Sequence, residues 1–156
     1  MAIVDLAKYD LLDLLISSIY SDDKKGEWMY DYMQAFSVYL SEQVGDRLTE
    51  ADNEEMKKLL MDPEVSPEKI EDFYRARISN YDSYLLAATL VFKKTYIVNY
   101  YKNMALATKV QQDPSAVLWE KLVKEAEADN WDEVAKLCEQ MDREYMTPSA
   151  KAQTNL

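Results

Sequence analysis

The sequence predicts an all-α fold, a bundle of six to seven helices around a long central hydrophobic helix at about 81–109, with a C-terminal helical hairpin. Three observations lead there. Only two glycines and four prolines occur in 156 residues, too few turn residues for the closely spaced corners of a β or open α/β fold. Leu, Ala, Met, Glu and Lys are common, and all of them favour helix. No stretch alternates apolar and polar residues with period two, whereas 81–109 reads YDSYLLAATLVFKKTYIVNYYKNMALATK, free of Gly and Pro. Its apolar residues spread over three faces, one of them through Leu85, Ala88, Phe92, Tyr96 and Met104. A helix apolar nearly all round belongs inside other helices. Leu85, Leu90 and Phe92 are therefore expected among the most buried side chains.

The first helix is expected at about 3–20, where Leu11, Leu12, Leu15 and Ile19 recur at helical spacing. SDDKKG at 21–26 is a turn. The second helix then runs to about Leu48, with Met29, Tyr32, Met33, Phe36, Leu40 and Val44 as its apolar face and Gly45 near its end. Thr49 followed by Asp52 reads as a capping box for a short helix that buries Met56, Leu59 and Leu60 and stops before Pro63. Ser66-Pro67-Glu68 supplies a cap, a first-turn proline and a first-turn acid for the fourth helix. Asn80 is placed to cap the central helix. Asp113-Pro114 opens the C-terminal pair, with Leu118, Leu122 and Ala126 on one face of its first helix. Asn130 reads as the cap of the last helix, whose stripe is Trp131, Val134, Cys138, Met141 and Tyr145. The expected organisation is a helical body at 1–109, a hairpin at 110–146 packed on it, and a flexible tail at 147–156. On this reading, truncation at Val110 leaves a folded but less stable body with an exposed apolar patch.

Charge and cysteine usage narrow the setting. The net charge of −11 repels nucleic acid and anionic lipid on average. Yet 73–110 holds six basic residues, Arg75, Arg77, Lys93, Lys94, Lys102 and Lys109, against the single acid Asp82. Either acidic outer helices complement a basic central one, or Lys94, Tyr101, Lys102 and Lys109 form a basic stripe for a partner. One cysteine, Cys138, excludes an internal disulfide and fits a reducing compartment. The N-terminus lacks the basic start and the cleavage site of a signal peptide, and the central apolar run breaks at Lys93-Lys94 before it could span a bilayer. The expected location is the cytoplasm, with no membrane span.

The catalytic inventory is thin. There is no histidine, which removes Ser–His and Cys–His nucleophiles, imidazole bases, most zinc sites and the di-iron pairs of ferritin-like bundles. Two glycines cannot build a phosphate loop. An EF-hand register with Gly26 at its sixth position places Ser21, Lys25 and Tyr32 at ligand positions and fails. Carboxylate pairs remain at Glu27/Asp31, Glu68/Asp72 and Asp129/Glu133, each readable as a solvated helix face or as a hard-cation or acid–base site. Cys138 lies on an apolar stripe and reads as a core thiol. No cofactor, metal or catalytic residue is assigned.

The stretches VGDRLTEADNEEMKKLL and DPEVSPEKIEDFYRARISNYDSYLLAATLVFKKTY, within Val44–Tyr96, resemble a family of short, acidic, all-helical bacterial proteins of uncharacterised function. The resemblance covers about a third of the chain. It implies an all-α fold and no functional residues. EADNWDEVAKL is similar to the hairpin turn of small helical secretion chaperones.

Twelve tyrosines, three tryptophans and eight methionines exceed what the core needs in several segments, and Tyr, Trp and Met are favoured at protein-binding surfaces. Trp28, Tyr30, Tyr39, Tyr100, Tyr101, Trp119 and Trp131 are the candidate partner-binding residues. The expected function is non-enzymatic binding of another protein, as an adaptor or chaperone-like protein. The alternatives are an acidic nucleic-acid mimic that inhibits a DNA-binding protein, and a carboxylate-dependent enzyme.

Overall fold

A computed structural model describes residues 2–146. The tail expected at 147–156 lies outside the described residues. Among these the protein is all-α. A 3-10 helix, Ile3–Lys8, is followed by α1 (Leu11–Leu14), α2 (Asp22–Gly45), α3 (Glu50–Leu60), α4 (Pro67–Arg77), α5 (Tyr81–Val110), α6 (Ala116–Glu127) and α7 (Trp131–Met141), and a π-helical turn closes the series at Asp142–Met146. No described residue is in a strand, and no described helix is long and apolar enough to cross a membrane.

The chain divides into two compact units, Met1–Tyr30 with Leu90–Leu156, and Asp31–Thr89. The division does not fall at the 109/110 boundary read from the sequence. The hairpin of α6 and α7 shares its unit with the N-terminal segment and most of α5, because its apolar stripe and theirs form one core. Helices α2 and α5 each contribute to both units.

In the first unit, Leu6, Leu11, Leu14 and Leu15 join Ile97, Tyr101, Trp119, Leu122, Trp131, Val134 and Met141 in burial. The single helix expected at 3–20 is broken. Asp10 turns extended, and its carboxylate accepts the Leu12 amide at 2.9 Å, so the chain restarts as a new helix there. At its other end α1 stops in a Schellman motif. Ser17 N–H reaches Leu12 O at 3.3 Å and Ile16 N–H reaches Asp13 O at 3.1 Å. Lys93 secures the segment from outside: its ammonium donates to the carbonyls of Leu6, at 3.2 Å, and Tyr9. Partial burial holds its pKa below the ordinary lysine value.

The second unit has a smaller core of Val44, Met56, Tyr74, Ile78 and Tyr81, ringed by Leu40, Leu48, Leu59, Ile70, Phe73, Tyr84 and Leu85. Its helix starts are those read from the sequence. Thr49 and Asp52 form a reciprocal capping box, with both bonds at 3.1 Å, and Ser66 Oγ accepts the Lys69 amide at 3.2 Å. Leu60, however, is exposed rather than buried.

The burial of α5 also differs from expectation. Leu90 is buried, but Leu85 and Phe92 are only half-buried, and Leu86, Val91 and Leu106 stand in solvent. The expected cap Asn130 makes no capping bond and instead donates from Nδ2 to Glu125 Oε2 at 2.7 Å.

Among the described residues, four non-glycine residues adopt left-handed conformations: Ile16, Asn80, Gln112 and Asp129, with φ of 55°, 58°, 56° and 58°. Gln112 and Asp129 sit in Schellman motifs like that of Ile16, closed by Asp113 N–H to Thr108 O at 2.8 Å and by Asn130 N–H to Glu125 O at 2.9 Å. Glycine carries no steric penalty there. Gln112 is exposed and its side chain is tied to nothing, so Gln112→Gly is expected to raise stability by roughly 1 kcal/mol, read as a higher urea midpoint at unchanged m-value. Asp129→Gly should not, because Asp129 also holds Lys94 at 3.0 Å and the Trp131 indole N–H at 3.2 Å.

Candidate functional site

The seven aromatic candidates separate by location. Tyr101 and Trp119 are 0% exposed and Trp131 is 1% exposed, so these three are core residues of the first unit and present no surface to a partner. Trp28, Tyr39 and Tyr100 are half-buried, and Tyr30 alone is well exposed, at 65%. Trp28 packs on Tyr20 at 5.0 Å between ring centroids and meets Tyr100 edge-on at 5.8 Å. Tyr100 in turn meets Trp119 edge-on at 5.9 Å, and Tyr101 lies 6.0 Å from Trp119. Five of the aromatics are joined in this chain, two of its contacts edge-to-face and two tilted.

Tyr101 anchors the chain. Its hydroxyl lies 2.6 Å from Leu14 O, to which it donates, and 3.3 Å from Cys138 Sγ. Burial pushes the Cys138 thiol from 9.0 up to about 12 and raises both Tyr100 and Tyr101. A thiol so placed carries no thiolate at neutral pH and is no nucleophile. The folded state keeps these protons while an unfolded chain releases them, so their contribution to stability is complete below about pH 9 and is lost as pH rises toward 12. Melting temperature should therefore fall with pH above about 9, and less steeply in Cys138→Ala. At neutral pH a thiol reagent should modify Cys138 only as fast as the unit opens.

Two lysines of the basic stripe are paired with acids of the same unit. Lys94 pairs with Asp129, and Lys102 with Glu127 at 2.9 Å. Arg75 holds Asp82 at 3.0 Å, Asp72 at 3.3 Å and Glu71 at 3.6 Å. Arg77 holds Asp52 at 3.1 Å and Glu55 at 2.6 Å, with its guanidinium 3.6 Å over the Phe73 ring. Tyr101 of that stripe is buried, whereas Lys109 is exposed and enters no ion pair. Asp72 and Asp129 of the carboxylate pairs are committed to cations.

A half-open cleft of about 660 Å³ lies in the first unit, lined by residues of 9–18, by Lys25 and by Ala135, Cys138, Glu139 and Asp142. Asp10, Asp13, Glu139 and Asp142 line it. Asp10 is occupied as the cap of α1, and Asp142 accepts the Ser18 hydroxyl. Across the mouth, the Tyr9 hydroxyl donates to Asp132, which raises the tyrosine pKa. Among the described residues no three acids or thiols are grouped to hold a metal ion.

What the sequence reading missed is a surface on α2. Tyr30, Gln34 and Val38 form one i, i+4 row, and Met33, Ser37 and Ser41 form the row beside it; all six are exposed. Met33 is 52% and Val38 59% exposed. Met33 was expected on the buried face. The usable signal was Val38, a β-branched apolar residue set among Ser and Gln, on the opposite side from Tyr32, Phe36 and Leu40. Comparison of the chain with protein-family models, with curated proteins and with solved structures finds no match.

Proposed function

We propose that the chain is an acidic helical protein-binding module, an adaptor or chaperone-like protein that works in the cytoplasm without catalysing a reaction. The observation that carries this reading is the exposed face of α2. Tyr30, Met33 and Val38 are each more than half exposed on one face of a well-formed helix, and apolar side chains so clustered mark interaction surfaces rather than scattered surface variation. Met and Tyr suit such a surface because one adapts its shape and the other brings area at low entropic cost. The buried Cys138 thiol, with its raised pKa, and the absence of histidine from the sequence fit a non-enzymatic role. The two alternatives ask for converging carboxylates. Asp31, Glu42, Glu50, Asp62, Glu64 and Glu68 of the second unit and Asp13 and Glu139 of the cleft are in no ion pair, but among the described residues no three acids are grouped to hold a metal ion.

A photo-reactive amino acid placed at Ser37, between the two rows, and separately at the exposed Lys121 of α6 tests the reading in living cells. A discrete protein adduct from position 37 and none from 121 is expected. Equal adducts at both positions, or adducts to nucleic acid, would overturn it.

A further inference from the structure

We infer that the α2 face takes a cationic amphipathic helix from its partner, apolar along one side and rich in Lys or Arg along the flank. This deepens the protein-binding reading and rests on it. In the second unit Arg77 serves Asp52 and Glu55, Arg75 serves Glu71, Asp72 and Asp82, and Lys57 serves Glu54, while Glu50, Asp62, Glu64 and Glu68 enter no ion pair. What sets α2 apart is that its unpaired acids flank exposed apolar side chains on a stretch without a cation. Between Gly26 and Asp46 the sequence has no Lys or Arg, while Glu27, Asp31, Glu42 and Asp46 all fall there. Glu27 has a cation in Lys24, at 3.6 Å, but Asp31 and Glu42 are exposed and enter no ion pair. At about 100° per residue, Asp31 and Glu42 lie within about 40° of Val38 around the helix. The apolar row and the unmatched acids are therefore neighbours on one flank.

That juxtaposition selects the occupant. An anionic membrane or a nucleic acid would meet the wrong sign. A second copy would bring two acidic faces together, each on a chain of net charge −11. A peptide that binds as an added strand needs a sheet edge, and no described residue is in a strand. A helix fits: the two i, i+4 rows are ridges for helix packing, and Ser37 and Ser41 leave a shallow furrow between Met33 and Val38. Its apolar side covers Tyr30, Met33 and Val38, and its cations reach Asp31 and Glu42.

The test uses the full chain and two fluorescent synthetic helical peptides. One has leucines along one side and lysines along the other; its counterpart has glutamates in place of the lysines. The lysine peptide is expected to bind, more weakly as salt is raised, and the glutamate peptide not at all. Met33→Ser with Val38→Ser should weaken the lysine peptide about tenfold or more. Asp31→Lys with Glu42→Lys should abolish its binding and admit the glutamate peptide. All four positions are exposed, and unchanged circular dichroism and melting would show that the fold is kept. Lysine-peptide binding that these variants leave unchanged would remove α2 as the site. Equal binding of both peptides would remove the charge argument. Binding of neither would overturn the inference as a whole, while adducts from position 37 would still decide the broader reading separately. A monomer–dimer equilibrium abolished by Met33→Ser with Val38→Ser would assign the face to a second copy and likewise overturn it.

Discussion

Truncation after Val110 is expected to unfold the unit built from 1–30 and 90–146, not to leave the folded but less stable body that the sequence alone suggests. The deleted hairpin carries Leu118, Trp119, Leu122, Trp131, Val134 and Met141, all buried. Each large core side chain is worth about 2–5 kcal/mol, and together they match or exceed the roughly 5–15 kcal/mol that separates folded from unfolded states. The deletion also removes the acids that neutralise Lys94 and Lys102 and leaves Tyr101 bare on one side. The measurement is thermal melting followed by near-ultraviolet circular dichroism and by the fluorescence of Trp28, the one tryptophan that remains. A lost cooperative transition and a red-shifted emission are expected. A cooperative melt near that of the full chain would mean the hairpin is an appendage and that the shared core has been misjudged.

Trp119→Ala should cost about 3–5 kcal/mol, the largest effect of any single substitution in this unit. Trp119 is fully buried and in ring contact with both Tyr100 and Tyr101. Its indole N–H is a different matter: Nε1 is buried and has no protein acceptor. An unmatched buried donor costs roughly 1–3 kcal/mol, so Trp119→Phe gives up area but also relieves that penalty. It should therefore lose less than half of what alanine loses. Urea titrations of the three proteins decide it. If phenylalanine is as damaging as alanine, the indole N–H contributes to stability after all.

The parts of this fold legible in the sequence are those with a local cause. Thr49 and Ser66 cap α3 and α4 through their own hydroxyls, as side-chain type and spacing indicated. The length of α5 followed from the missing Gly and Pro. What escaped has a cause elsewhere in the chain. The segment 3–20 carries helical periodicity, yet it is cut at Asp10 and Ile16 because α5 and α7 bury it on several sides at once, and Lys93 and Asp132 tie it down from other elements. The aromatic candidates divided for the same reason. Only Tyr30 proved exposed, while Tyr101 and Trp119 were drawn into a core whose extent depends on how far α6 folds back. Met33 was misplaced because it lies at the margin of the apolar stripe, where one turn of difference in coverage decides between core and surface.

The placement of glycine in this chain is inverted. Gly26 and Gly45 lie within α2, with no positive φ and open space where a Cβ would stand, while the left-handed corners fall to Ile16, Asn80, Gln112 and Asp129. In a saturation mutational scan, glycine is ordinarily a uniformly bad letter and alanine a neutral one. Here the heat map should show islands of reversed sign, with glycine tolerated or favoured at 112 and alanine favoured at 26 and 45. Those islands would locate helix boundaries from variant counts alone.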